Sequence, residues 1–313
     1  MNTPDIRNKD YISIDNKLYF AVVSDDIEQD KVLSWLRYVK TETGLQKLNT
    51  LEASTYIQTN YPELVFHSLL ADNVLHGIPL KQIGHIFSSK NFLPILKHLP
   101  KPDKKQIDAL TVIKLLEQCD IDSQYLGITG SLLINAQTDK SDIDLLVYGR
   151  EQFFKVRACV KQLLNDKCFL PLDENDWRNT YQRRNCGVDF ETYCFHERRK
   201  FNKFKIGETK VDISMIPDRQ EQVQSNEQYS KSGLVNIQST VTNDQYAYDN
   251  PARYYLDHEQ IQEVVVYTAT YVGQAKKNER IEVSGILEVA GNKKRLVVGT
   301  SREAKQEYIK IIP

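Results

Sequence analysis

At 313 residues the chain exceeds one ordinary core of about 100 to 200 residues, so it divides into two or three domains. Its 41% hydrophobic and 27% charged residues match a packed globular protein, which excludes a disordered or membrane-embedded chain. With 41 Lys and Arg against 42 Asp and Glu, the net charge of -1 excludes a nonspecific polyanion coat and leaves phosphate affinity to a local basic patch.

The five cysteines, Cys119, Cys159, Cys168, Cys186 and Cys194, are odd in number and form no C-x-x-C pair. That argues against a disulfide framework and against a thiolate zinc site. The first ten residues lack the apolar centre of a signal peptide, and no later run approaches the roughly 20 apolar residues that span a bilayer. The expectation is a cytoplasmic protein with no membrane partner.

Residues 10 to 23 hold two β-rich runs around Asp15-Asn16, residues that tolerate left-handed turn positions, so a hairpin is predicted. From about 29 to 120 apolar residues recur three and four apart, as in Val32, Leu33, Trp35, Leu36 and Val39 and again in Leu110, Ile113 and Leu116, predicting a mainly helical stretch. Gly77-Ile78-Pro79 and Leu99-Pro100-Lys101-Pro102 interrupt it. Then the rhythm becomes α/β. A strand is expected over Tyr125 to Thr129, a turn into a short helix at Gly130-Ser131, a buried strand over Ile143 to Tyr148, a helix over Glu151 to Leu164, and a strand over Thr209 to Ile216 that Pro217 stops. Residues 218 to 232 are polar and read as a linker. Strand-like runs at Val235 to Val241, Val264 to Val272, Arg280 to Val289 and Arg295 to Gly299 predict a small closed barrel, of which the oligonucleotide-binding type is one architecture. The predicted class is α+β: a β-hairpin and helical region over 1–107, a mixed sheet with helices over 108–217, the linker, and a β-rich domain over 233–313.

The chemistry concentrates between Gly130 and Asp144. Two acids at i and i+2 on a strand face one way, so Asp142 and Asp144 converge on one side while Ile143 enters the core. Magnesium takes a few hard oxygen ligands from protein and shares the rest with phosphates and water. Gly130-Ser131 stands at a strand-to-helix turn, where free backbone N–H groups favour a phosphate, glycine admits close approach and serine adds a hydroxyl.

Gly127-Ile128-Thr129-Gly130-Ser131 followed by Ser141-Asp142-Ile143-Asp144-Leu145-Leu146-Val147 resembles the Gly-Ser and Asp-x-Asp signature of the polymerase-beta-like nucleotidyltransferase superfamily. The Arg-Asn-Lys-Asp-Tyr-Ile start, Leu75 to Leu80, His196 to Lys200 and the β-rich tail further resemble a group of largely archaeal predicted nucleotidyltransferases. The resemblance implies a core of mixed sheet and helices, two Mg²⁺ ions or Mn²⁺ in their place, a nucleoside triphosphate, and transfer of its monophosphate to an acceptor hydroxyl with loss of pyrophosphate. Asp142, Asp144 and a third carboxylate would carry catalysis and metal, and Gly130 and Ser131 the nucleotide. Asp212, in the strand-like Lys210 to Ile216, is the favoured third acid, with Asp189 and Glu191 as competitors. The acceptor is an RNA end, a protein side chain or a small molecule, and the helical and barrel-like flanks lean towards a macromolecule.

One departure stands out. Leu132-Leu133-Ile134-Asn135 follows Gly-Ser where many superfamily members carry a basic residue for the triphosphate. Residues 178 to 205 hold eight Lys and Arg against three acids, so Arg198, Arg199 and Lys200 are candidates for that role, with a solvated basic face as the equal alternative. Trp177, Tyr181, Phe190, Tyr193 and Phe195 among these cations could stack a base or pack a core. His76 and His196, without acid partners or ligand spacing, read as structural. The rival to an enzyme is a noncatalytic nucleotide- or RNA-binding protein that retains the fold.

Overall fold

The computed structural model describes residues 4–69, 73–223, 227–300 and 304–313. It divides into two compact units, Met1–Leu146 and Val147–Pro313.

In the first unit the strands are β1 (Tyr11–Ile14), β2 (Leu18–Glu28), β3 (Lys31–Thr41), β4 (Gly44–Lys47), β5 (Val65–Ser68), β6 (Asn73–Pro79) and β7 (His85–Phe87). They form one sheet in the order β5-β6-β3-β2-β1-β7, with β4 also on β3, and every pairing is antiparallel. Asp15 and Asn16, at φ 50° and 51°, turn the predicted β1–β2 hairpin in the left-handed region these residues tolerate. Helix α1 (Thr50–Asn60) starts with a capping box between Asn49 and Glu52 and lays Ala53 and Ile57 on Phe20, Leu36 and Ile78 of the sheet. Helices α2 (Ser89–Lys97) and α3 (Lys104–Glu117), strand β8 (Leu126–Thr129) and the single-turn helix α4 (Gly130–Leu133) complete the unit.

The predominantly helical reading of residues 29 to 87 is therefore corrected. In β3 the buried residues alternate as Val32, Ser34, Leu36 and Tyr38, which is period two. The polar member, Ser34, hid it: its hydroxyl is buried because it donates to the His76 carbonyl at 3.0 Å across the sheet. Buried Leu33 and half-buried Trp35, with Val39 that a bulge at Arg37 returns to the Leu36 side while Tyr38 turns away, then imitate a helical stripe. Helical periodicity is real only in α1 and from α2 onward.

Strand β9 (Ile143–Tyr148), where the units divide, has the predicted bounds, as does β11 (Thr209–Ile216); with β10 (Lys203–Ile206) they form a four-stranded sheet in the order β10-β11-β9-β8. The second unit begins with helix α5 (Arg150–Asn165), which buries Phe153, Val156, Val160 and Leu163 at helical spacing, and continues with α6 (Glu174–Arg184) and α7 (Phe190–Arg198). Its last third is β12 (Ser230–Asn243), β13 (Ala252–Asp257), β14 (Glu263–Val266), β15 (Arg280–Ala290), β16 (Lys293–Val298) and β17 (Tyr308–Ile311). The strands run β12-β13-β14-β16-β15, and β15 pairs back to β12, so five strands close into a barrel with β17 attached to β15. Only β14 and β16 are parallel. Alternate residues Ala252, Tyr254 and Leu256, Val264 and Val266, Ile281 and Val283, and Leu296 and Val298 are buried. Each such large side chain contributes about 1.5–3 kcal/mol on leaving water.

Cys168, Cys186 and Cys194 are free thiols, while Cys119 and Cys159 are disulfide-bonded. That corrects the expectation of no cystine, because a count and a spacing rule do not detect a bond set by tertiary structure.

Candidate functional site

Strand β8, buried along its length, delivers the chain to Gly130, whose φ is +70°. A Cβ there would stand 2.2 Å from Oδ2 and 3.1 Å from Cγ of Asp144. Glycine is therefore required twice, by backbone conformation and by the carboxylate laid against its Cα. The Gly of Gly-Ser and the second Asp of Asp-x-Asp are in contact. Ser131 is buried, and its carbonyl accepts the Ala136 amide at 2.8 Å, closing the turn after α4. Thr129 occupies the N-cap position with extended backbone, yet its hydroxyl donates to the Lys9 carbonyl and no side chain caps α4. The leading amides of that turn thus lack the usual side-chain acceptor.

Asp142 immediately precedes β9 and Asp144 lies on it, both half-buried, with Ile143 between them wholly buried. The alternation is as expected for a strand that turns carboxylates to one side. Two hard carboxylates beside uncapped amides match the donor chemistry of magnesium held by one or two protein acids and completed by phosphate and water. Among the described residues no group of three His, Cys, Asp or Glu side chains gathers closely enough to hold a metal ion, so this unit offers a two-carboxylate arrangement.

The N-terminal sheet supplies a wall that sequence reasoning missed. Tyr11 on β1 and Tyr38 on β3 are buried with ring centroids 6.3 Å apart and pack with Leu133 and Ile134, the residues that follow Gly-Ser. Burial first, and the Asp144 carboxylate in addition, push both phenols up from their ordinary range, while the Arg37 guanidinium opposes the shift. No local signal could have linked residues 11, 37 and 38 to residues 130 to 144.

In the second unit, Asp212 is half-buried on β11, between buried Val211 and Ile213 as the alternation predicts, and opposite Lys203 of β10. Its competitors are not on a strand. Asp189 caps α7, accepting from the Thr192 amide at 2.8 Å and hydroxyl at 2.7 Å, bonds that hold its carboxyl below the usual range, and Glu191 is exposed in the first turn. Their alternation with Val188 and Phe190 was an accident of a helix start.

The three basic candidates end α7 and diverge. Lys200 is 2% exposed and donates to Glu197 Oε1 at 2.5 Å and to the Thr270 carbonyl at 3.0 Å. Its ammonium is committed inside the unit and does not reach a phosphate. Burial pushes the Glu197 carboxyl up, but Lys200 and Lys203 outweigh it and hold the group well down. Arg199 pairs with Glu279 and lies over the Phe195 ring at 5.4 Å. Arg198 is exposed, in a cleft of about 620 Å³ that it shares with Arg178, Phe190, Glu191 and Phe195. Of the aromatic tract, Trp177 and Tyr193 are core, Tyr181 and Phe190 pack against it, and only Phe195, 55% exposed, is free to stack. His76 and His196 are buried, with Nδ1 of His76 accepting the Leu36 amide at 2.9 Å and that of His196 meeting the Gln274 carbonyl at 3.0 Å, as structural histidines do.

A protein of Methanocaldococcus jannaschii, described as uncharacterized protein MJ1086, is 29% identical over 336 aligned positions, covering 98% of this chain and 99% of that protein. The similarity therefore runs through both units rather than the Gly-Ser to Asp-x-Asp stretch alone. No family model matches the chain, and no solved structure matches it. Among the described residues no helix is long and apolar enough to cross a membrane.

Proposed function

We propose that this chain is a metal-dependent nucleotidyltransferase of the polymerase-beta-like kind, moving a nucleoside monophosphate from a triphosphate to an acceptor hydroxyl. The observation that carries the reading is the contact of Asp144 with Gly130: the acid of one half of the signature occupies the space that the glycine of the other half leaves open. Asp142 and Asp144 would hold magnesium, and the amides of Gly130 and Ser131 would take phosphate oxygens. The ions would neutralise charge on the phosphates and lower the pKa of the attacking hydroxyl.

The acceptor is read from the second unit. A five-stranded barrel in the order β12-β13-β14-β16-β15-β12, with one parallel pair, has the connectivity of oligonucleotide-binding barrels, which favours an RNA end over a small molecule. The test is incubation of the protein with magnesium, each labelled nucleoside triphosphate and either total RNA or a protein extract, beside an Asp142→Asn/Asp144→Asn variant. Label should enter RNA with the wild type and not with the variant. Equal labelling by both, or labelling by neither, would sink the proposal, and binding of triphosphate without transfer would instead establish a noncatalytic nucleotide-binding protein.

A further inference from the structure

A triphosphate carries about four negative charges, and Asp142 and Asp144 add two more. A site built on them needs a protein cation, and the turn after Gly-Ser, Leu132 to Asn135, has none. Of the basic run ending α7, Lys200 and Arg199 are committed to Glu197 and Glu279, and Arg198 stands in the second unit. The first unit does hold one suitably placed cation. Arg37 is half-buried on β3, between Leu36 and Tyr38, at the point where the β2–β3 register slips and sets one extra residue against Tyr19 and Phe20. Such a bulge re-aims a side chain without breaking the sheet.

We propose that Arg37 is the phosphate-binding cation of the Gly130–Asp144 site, delivered across the fold by the N-terminal sheet; this rests on the nucleotidyltransferase reading and deepens it. Two observations converge. Tyr38, the chain neighbour of Arg37, packs with Tyr11 against Leu133 and Ile134, so β3 lies against the turn that carries Gly130. The Thr129 hydroxyl donates to the Lys9 carbonyl, tying the residue before Gly130 to the segment that leads into Tyr11. A guanidinium has five N–H donors. Arg37 makes no ion pair among the described residues, which leaves its fork for phosphate oxygens.

The experiment is calorimetric titration of the full chain with tripolyphosphate and with each nucleoside triphosphate, in magnesium, for the wild type, Arg37→Gln and Arg37→Lys, with adenosine as a phosphate-free control and an unfolding midpoint for each variant. Loss of a charge-assisted phosphate contact predicts about tenfold to hundredfold weaker triphosphate and tripolyphosphate binding in Arg37→Gln, partial recovery in Arg37→Lys, and unchanged midpoints. Unchanged triphosphate affinity in Arg37→Gln overturns the assignment and leaves the nucleotidyltransferase reading standing. A loss matched by a lowered midpoint that Arg37→Lys does not repair makes Arg37 structural and overturns it too. Failure of the wild type to bind any of the four triphosphates overturns both.

Discussion

Gly130 combines two demands that no other residue meets, a left-handed φ and a carboxylate oxygen where a Cβ would sit. Gly130→Ala should cost about 1–3 kcal/mol from the backbone alone and should also swing Asp144 out of line. A urea midpoint unchanged from wild type would show that the turn relaxes freely. The buried titratable groups make opposite contributions to the pH dependence of stability. Burial holds His76 at about 4 and, with help from Lys200, His196 at about 4, whereas both take protons near 6.5 once unfolded. Their contribution is complete above pH 6.5 and is lost as pH falls towards 4. Asp10 works the other way. Burial raises it to about 6 despite the Ser89 and Arg7 amides that it accepts, so its share is complete below about pH 4 and lost as pH rises through 6. Denaturant midpoints between pH 4 and 7 should therefore fall on acidification more steeply in Asp10→Asn than in wild type. An identical slope would contradict the sign assigned to Asp10.

At the scale of elements, helix α7 is held by its end as well as by its Tyr193 and Cys194 face. Glu197 is buried between Lys200 and Lys203, and Lys200 reaches the Thr270 carbonyl in the loop after β14. Replacing only the acid leaves two buried cations without their counter-charge, so Glu197→Gln should destabilise the protein by about 3–5 kcal/mol. A loss below 1 kcal/mol in chemical denaturation would mean that water enters and screens the pair. The same network explains why the basic run of residues 198 to 200 misled: a cation count does not distinguish a lysine facing solvent from one serving a buried glutamate. Local pattern succeeded where one residue type repeated without interruption. The apolar run Leu145 to Tyr148 and the alternation from Thr209 to Ile216 marked β9 and β11 to the residue. It failed for β3, where buried Ser34 broke the alternation, and for the short strands β13 and β17.

Across the whole molecule, a net charge of -1 means that RNA binding, if the acceptor is RNA, must come from a few local contacts. The logarithm of single-strand affinity against the logarithm of salt should then have a slope of about -2 to -4, corresponding to about three to five phosphates. A slope near -8 would require a continuous basic track that the overall charge balance does not predict. The sequence by itself determined the Gly-Ser and Asp-x-Asp stretch, the strand and helix around it, and a β-rich end, because each is written in the facing and spacing of near neighbours. Only the tertiary structure decided that the N-terminal region is a seven-stranded sheet, that the last strands close into a five-stranded barrel, that Lys200 is buried, and that Tyr11 and Tyr38 pack with Leu133 and Ile134 after Gly-Ser. Several of those facts depend on pairings between residues far apart in the chain, such as Tyr11 with Phe87 and Ser230 with Val289, and no periodicity within a single element encodes its partner.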